Sequence, residues 1–341
     1  MKILVTGGAG FIGSAFLRYW YKNHPDDEII NLDAFTYAAS KDAIQELDQH
    51  PNYRLVVGDI TNAELVNELT QGVDLIVHFA AETHVDRSIM DPSIFVKTNV
   101  LGTQILLESA VKNKVGHFHH ISTDEVFGSL KLGSNALFSE ETPYDPRSPY
   151  SASKAGSDHL VRAYGETFGL PYTITNCSNN YGPFQHPEKF ISLIITNLLL
   201  GKSVPLYGAG HQVRDWLFVD DHVRAIELII QNAKPGSTYC IGGMSEEMSN
   251  LEVVKTIADI LEVTFDPVEF VKDRAGHDER YAIDWSKIKA DLGWSPQVDP
   301  SEGFRQTIEW YKLNTEIWKA MRANGFDAYY AKQYQDREKD Q

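Results

Sequence analysis

Short apolar, β-rich runs alternate with longer stretches at helical spacing through the first half of the chain. Lys2–Thr6, Glu28–Leu32, Tyr53–Val57, Leu75–Ala81, Gly116–Ile121 and Pro171–Thr175 read as strands, and Thr238–Ile241 as one more. Ser14–Tyr21, Pro92–Ala110 and Tyr150–Phe168 read as helices between them. Further on, Phe190–Leu200 reads as an apolar core helix and Asn250–Leu261 as another helix. Strands alternating with helices predict an α/β fold built on a doubly wound parallel sheet. A smaller C-terminal α/β lobe is expected from near Asn180. Residues 1–179 then form the first domain, with segments near 213–241 returning to it, and 180–341 mainly the second. Asn176–Pro183 reads as a polar loop, Lys272–Arg280 as a charged loop, and residues 336–341 as a solvated tail.

Composition narrows the class. The 341 residues carry a formal net charge of -16, which argues against nucleic acid or an anionic membrane as the main partner. An anionic small molecule stays open, because local basic groups can dominate a pocket. Cys177 and Cys240 have no metal-ligand spacing, so a reducing compartment is the simplest reading. The apolar start, Ile3–Val5, is too short for a signal peptide, and no stretch approaches the ~20 apolar residues of a membrane span. A cytoplasmic protein is expected.

Candidate chemistry lies where strands end. Gly7-Gly8-Ala9-Gly10-Phe11-Ile12-Gly13 falls between a strand and a helix, the context in which a glycine loop admits a pyrophosphate to the helix N-terminus. Taken alone, it could equally be a plain strand-to-helix turn. Asp33 ends the second strand at the ~20-residue distance expected of a carboxylate on an adenosine ribose, which favours NAD over NADP. Ser122-Thr123-Asp124-Glu125-Val126-Phe127-Gly128 sets a hydroxyl and two carboxylates at the end of another strand, although an isolated acidic pair there could be a solvated turn. Tyr150 and Lys154 share a helix face, where an ammonium would lower the phenol pKa and make it a usable base. Arg214 stands beside an apolar and aromatic run and suits a diphosphate. His119 and His120 are adjacent on a strand and so point to opposite faces, which favours strand packing over a metal site. Trp285, Trp294 and Trp310 read as core or interface, and no metal is expected.

The glycine loop, Asp33, Tyr150 and Lys154 together resemble the extended short-chain dehydrogenase/reductase superfamily, whose cofactor lobe is a Rossmann fold. Ser122–Gly128, Ala80–Ser88, Asn176–Gly182, Arg214-Asp215-Trp216 and Gly276-His277-Asp278 are more specific. They resemble the nucleotide-sugar 4,6-dehydratases, most of all the members that act on dTDP-glucose. Ala275, Glu279 and the segment Ser40–His50 depart from the family's pattern. The resemblance implies an NAD-dependent lyase of deoxysugar biosynthesis and a homodimer, with helices such as Pro92–Ala110 and Tyr150–Phe168 forming its interface. It implies Thr123, Asp124, Glu125, Tyr150 and Lys154 as catalytic residues. Gly7, Gly10, Phe11, Ile12, Gly13, Asp33, Ala34, Thr36, Asp59, Ile60, Ala80, Ala81, Thr98, Asn180, Tyr150 and Lys154 would hold NAD. His84, Thr123, Asn179, Lys189, Phe190, Pro205, Tyr207, Arg214, Asn250, Arg274 and His277 would hold the nucleotide sugar. Rival readings are a UDP-sugar 4,6-dehydratase or a 4-epimerase of the same fold, or, in another class, a regulatory protein that senses NAD without turnover. Sensing needs none of the five reactive residues.

Overall fold

The computed structural model describes residues 1–243, 247–274 and 276–335. Thirteen strands occur among them: β1 Lys2–Thr6, β2 Glu28–Asp33, β3 Tyr53–Val57, β4 Leu75–His78, β5 His117–Thr123, β6 Tyr172–Cys177, β7 Asn179–Tyr181, β8 Val204–Tyr207, β9 Val213–Arg214, β10 Trp216–Phe218, β11 Ser237–Ile241, β12 Met248–Ser249 and β13 Val268–Val271. Seven of these form one parallel sheet in the order β11-β6-β5-β4-β1-β2-β3. Its helices are α1 Phe11–Asn23, α2 Ala63–Leu69, α3 Val85–Met90, α4 Pro92–Phe95, α5 Thr103–Lys112, α6 Pro149–Phe168, α7 Phe190–Leu199 and α8 Val219–Asn232. Beyond them lie α9 Asn250–Ile260, α10 Ser286–Leu292, α11 Pro300–Leu313, α12 Thr315–Met321 and α13 Asp327–Gln335.

Alternation along each strand sends side chains to two cores. Ile3, Val5 and Val77 meet Phe16, Leu17 and Trp20 of α1 and Val223 and Ile226 of α8 on one face. Leu4, Ile30 and Ile76 meet Leu106 and Leu107 of α5 and Val161 of α6 on the other. Sheets covered on both faces in this way are parallel because each crossover helix must lie on a face. A separate core, around Ile191, Ile194, Trp216, Val253, Val254, Phe304 and Tyr311, joins α7, α9 and α11 over the short strands of the second half.

Several segments differ from expectation. Asn176–Pro183 is not a continuous loop: Asn176 and Cys177 finish β6, and β7 pairs in parallel with β10. The fourth strand stops at His78, ahead of Phe79 and the small residues Ala80 and Ala81. The stretch 92–110 is helical but not uniform, because Val96–Gly102 winds as a π-helix between α4 and α5. Ser40–His50 closes as a 3-10 turn that buries Ala43, Ile44 and Leu47, the last two in the α1 core. Residues 336–341, expected as a tail, and Ala275 lie outside the described residues.

One buried ion cluster ties distant elements together. Glu188 accepts from Arg87 Nε at 3.1 Å and from the Tyr37 hydroxyl at 2.7 Å. The Arg87 guanidinium lies 3.8 Å from the centre of the Tyr37 ring and 4.4 Å from that of Tyr329 on α13. Burial alone would push the Glu188 carboxyl up, but His84, His186, Lys189 and Arg87 outweigh it and hold it at about 2. A depressed carboxyl stabilises the fold fully above its unfolded value near 4.5, and that stability is lost as pH falls towards about 2. A shift of this size corresponds to roughly 3 kcal/mol. Glu188→Gln should therefore lower the unfolding free energy by about that amount at pH 7. The gap from the parent should close as denaturant titrations are repeated at pH 5, 4 and 3; a gap constant over this range would rule out the charge as its source.

Candidate active site

Strand order reverses between β1 and β4, since β2 and β3 build out one way and β5, β6 and β11 the other. Ligands of such sheets bind at this switch, beyond the carboxyl ends of the strands. The glycine loop sits there. Gly7 has φ +74° and lies so close to β4's exit that a Cβ would come within 2.5 Å of Ala80 N. A Cβ on Gly13 would come within 2.3 Å of Gly7 O, so α1 starts tight against the loop. The loop is self-supporting: Gly8 N donates to Asn31 Oδ1, Ala9 N to Asp33 Oδ2, and Gly10 N to Gly7 O. The first-turn N–H groups of Phe11 and Ile12 have no acceptor within the helix and face the switch. This cradle fits a dinucleotide pyrophosphate. Asp33 also accepts from Phe35 N at 2.8 Å, so both its oxygens are already anchored and aimed.

Around the cradle, Ala80 and Ala81 follow β4 half-buried, Ala34 and Thr36 are exposed beyond β2, and Ile60 is buried beside Gly102. Asp59 turns its Oδ1 onto Thr61 N and Oγ1, and Thr98 sits half-buried in the π-helical turn. Asn180 is committed internally: its amide donates to Ser178 O and its Oδ1 contacts His222 Nδ1 at 2.9 Å.

Strand β5 ends in a single 3-10 turn, Asp124–Phe127, which Thr123 caps by accepting from Glu125 N at 3.2 Å. The cap aims the two carboxyls into one space. Asp124 is fully buried, and burial, with Glu125 and Asp215 nearby, pushes its carboxyl well above the usual range. Glu125 is also raised by burial, but the cations Arg274, Lys189 and Arg214 oppose the shift. The adjacent acids are thus differentiated: burial and two carboxyls push Asp124 well up, whereas in Glu125 three cations oppose the upward push of burial.

Helix α6 brings up the phenol. Pro149 occupies its first turn, and Ser148 and Ser151 form a reciprocal capping box, which fixes the helix start one residue before Tyr150. Tyr150 is buried in contact with Thr123 and within the field of Glu125 and Asp124. The expectation that Lys154 depresses this phenol is not met: burial and then Glu125 push it well above its ordinary value. The reason is geometric, for Lys154 Nζ donates to Ile121 O at 2.8 Å on β5. Burial also brings the Lys154 ammonium down to about 8, with Asp158 and Cys177 opposing.

The second lobe closes over this space. Lys189 Nζ donates to Thr83 O at 2.9 Å, Phe190 stacks on Trp216, and Tyr207 OH donates to Asp86 Oδ2 at 2.9 Å. His277 meets the Tyr207 ring edge-on and contacts Asp273 at 2.6 Å, and Arg274 lies 3.8 Å from Asp86. Arg214 is buried, 4.2 Å from the centre of the Tyr281 ring, and donates to Val213 O and Asp278 O. His84 caps α3, and Pro205 lies buried in β8. Asn179 Oδ1, Asn250 Oδ1 and Arg274 Nε are buried yet have no hydrogen-bond partner among the described residues. Orphans of this kind at one rim are what a polar ligand would satisfy.

Other residues hold the site without having been singled out. Asn99 accepts from Glu82 N and donates to Glu82 O and Ser153 Oγ, linking β4's exit to α6. Tyr281 and Asp86 line the Arg214 and Arg274 side, and Asp158 lies under Lys154. The only hint in the sequence is polar residues on faces that otherwise read as buried. His119 and His120 are strand-packed, on Thr173 and on Ser157 and Asp158 respectively. Among the described residues no group of His, Cys, Asp or Glu could hold a metal ion, and no helix is long and apolar enough to cross a membrane.

Comparison with known proteins agrees with this geometry. The family model described as GDP-mannose 4,6 dehydratase matches residues 4–307. The dTDP-glucose 4,6-dehydratase of Haemophilus influenzae is 49% identical, covering 92% of this chain and 99% of its own. That of Mycobacterium tuberculosis is 48% identical over 99% of both. The crystal structure of the Streptomyces venezuelae dTDP-glucose 4,6-dehydratase, with NAD bound, superposes with a TM-score of 0.91 at 48% identity, covering 94% of this chain and 100% of that one. The UDP-glucuronic acid 4-epimerase of Bacillus cereus follows the same fold at 30% identity, with a TM-score of 0.86 over 92% of this chain and 99% of that one. A chain that carries both the sheet and the Thr-Asp-Glu turn, and that matches these relatives almost end to end, belongs to the GDP-mannose 4,6 dehydratase family of nucleotide-sugar dehydratases.

Proposed function

We propose that this protein is a dTDP-glucose 4,6-dehydratase, an NAD-dependent hydro-lyase that converts dTDP-glucose to dTDP-4-keto-6-deoxyglucose and water for rhamnose-type deoxysugar biosynthesis. The observation that carries this reading is the capped turn after β5, where a buried Asp124, its carboxyl pushed well above the usual range, and a cation-facing Glu125 share one space with the Tyr150 phenol. An epimerase needs the phenol but not this pair. The names and NAD-bound structures of the relatives support the same choice.

When bound, NAD+ takes a hydride from sugar C4 and returns one to C6, and its positive ring favours the Tyr150 phenolate. Tyr150 removes the proton of the C4 hydroxyl, while Thr123 donates to the C4 oxygen. Lys154, whose Nζ is held by Ile121 O, serves a ribose hydroxyl of the bound cofactor. The new C4 ketone acidifies C5–H, which Glu125 abstracts. Asp124 gives its proton to the C6 hydroxyl, which leaves as water, and the C5 proton is restored on the way out. Arg214, Arg274 and Lys189 hold the diphosphate side, and Asn179, Asn250 and His277 the sugar and base. In this reading residues 1–179, with α8 and β11, form the NAD lobe, and 180–341 mainly the nucleotide-sugar lobe. The protein works in the cytoplasm as a homodimer, for which the exposed Ile89, Met90, Ile94, Val96 and Leu101 along α3 to the π-helical turn offer an apolar face.

Cofactor choice should follow Asp33. Its two anchored oxygens suit ribose hydroxyls and repel a 2′-phosphate, so calorimetry on apoprotein should show NAD binding far more tightly than NADP; equal affinities would refute the assignment. Turnover should need neither added oxidant nor reductant.

Oxidation and elimination should separate by mutation. Asp124→Asn and Glu125→Gln should both still generate absorbance of reduced cofactor on mixing with dTDP-glucose, yet lose ~10²–10⁴-fold in turnover, the usual contribution of an acid or base. Tyr150→Phe should suppress the absorbance itself. Exchange of C5–H with deuterated solvent should vanish first in Glu125→Gln. Near-normal turnover of both carboxyl variants would sink the dehydratase reading.

A further inference from the structure

Asp158 is a carboxylate with no exposed surface, placed between α6 and the sheet and unused by the chemistry described above. Burying a lone anion costs several kcal/mol unless donors and opposite charge meet it. Donors arrive from two strands and the loop before α6: Ser122 Oγ at 2.8 Å from β5, Tyr144 OH at 2.8 Å from that loop, and Asn176 Nδ2 at 3.2 Å from β6, all on Oδ2. His120 Nε2 lies 3.1 Å from Oδ1. That histidine also contacts Ser157 Oγ and lies tilted, 5.3 Å between ring centres, against His78 of β4, in an environment whose burial brings its imidazolium down to about 4. So His120 meets Asp158 as a neutral ring at working pH. Asp158 itself stays anionic, because hydrogen bonds, from His120 first and from Ser122, together with the Lys154 ammonium outweigh its burial.

The cations facing it are both on α6, one turn to either side. Arg162 is turned outward onto Tyr144 OH and Thr238 Oγ1. Lys154 is buried, and its Nζ donates to a neutral group, Ile121 O. The other titratable groups around Lys154 bring no charge: burial pushes the Cys177 thiol up to about 12, and burial first and the Lys154 charge besides push the His78 and His120 imidazoliums down. We propose that Asp158 is the positioning residue of the site: a rigidly held counter-anion, one helical turn below Lys154, that keeps this lysine an ammonium while it serves the Tyr150 end of the helix. Ser122 makes the arrangement exact in register. It lies on β5 between Ile121, whose carbonyl accepts a hydrogen bond from Lys154 Nζ, and Thr123, which meets the phenol, so one three-residue stretch sets anion, ammonium and phenol together.

The inference rests on the role proposed for Tyr150 and Lys154, and the test separates the two. Holoenzyme of the parent, Asp158→Asn and Asp158→Ser would be mixed with dTDP-glucose between pH 6 and 9.5, and first-turnover reduction of the cofactor followed by absorbance. NAD affinity would be measured by equilibrium dialysis over the same range. Removing the anion makes the ammonium easier to deprotonate. Both neutral variants should therefore match the parent to within about threefold at pH 6 and fall at least tenfold behind it at pH 9, in rate and in NAD retention alike. Asp158→Glu, which keeps the charge, should retain the parent's pH profile even at a lower maximum. A uniform loss at every pH in the neutral variants that fold would overturn the proposal and leave Asp158 a packing residue, and so would an unshifted profile. If neither neutral variant yields folded holoenzyme, the charge-retaining variant decides: a profile displaced from the parent's would overturn the proposal. Failure of the parent itself to reduce its cofactor would instead refute the role of Tyr150 and Lys154.

Discussion

The hydrogen-bonded seat of β5 between β4 and β6 is the constraint on which the rest of the molecule depends. Its register fixes His120, Ile121, Ser122 and Thr123 against β6 residue by residue. From that one strand come the carbonyl that holds Lys154, the hydroxyl that holds Asp158, the cap of the acidic turn and the contact to Tyr150. Side chains alternate between faces along a strand, so a slip of one residue would send each of these groups to the wrong layer. The chemistry needs sub-ångström placement of groups contributed by a strand, a turn and a helix. A parallel ladder buried on both sides is the stiffest way to deliver it.

Charge explains why the two halves of the chain stay closed over that seat. The protein is acidic overall, yet the space above β5 gathers Lys189, Arg214 and Arg274. Each is tethered by neutral carbonyls, an aromatic ring or a more distant carboxylate and not paired off on the reactive acids. Glu188 and Asp158 play matching parts in different layers, as buried anions that donors and cations keep ionised. Asp124 shows the opposite outcome from the same burial, because the carboxyls of Glu125 and Asp215 outweigh Thr123 and Arg214 beside it. Environment, not residue type, decides which acid carries a proton.

Much of this was legible beforehand. Strands of branched residues ending in small or acidic ones located the sheet and its carboxyl edge, and the spacing of Tyr150 and Lys154 placed them on one helix face. Tertiary pairing was not legible. The three-residue β7 is a strand only because β10, some 35 residues on, lies beside it, and no local pattern announces that. Helix α8 carries Val219, Val223, Ile226 and Ile229 at helical spacing, but no helix was expected there, only a return of residues near 213–241 to the first lobe. The direction of Lys154 was missed because spacing gives a shared face but not where a long side chain finds its partner. Asp158 and Asn99 were missed for a related reason: a polar residue in a buried layer announces a network without saying which strands will supply the donors.

The π-helical turn at Val96–Gly102 carries a consequence for how this chain can vary. A π turn accommodates an extra residue within a helix, and here it points Asn99 at Glu82 and Ser153 while Thr103, one turn on, reaches back to Asn99 O and contacts His78. Loss of a single residue inside it would let the helix rewind to ordinary α geometry with its flanks nearly in phase, but would take away the bulge that turns Asn99 onto its partners. One gap in this helix would thus act locally, at a buried joint and not along the helix's length. It would unhook β4's exit from α6 while leaving every named catalytic residue in the sequence.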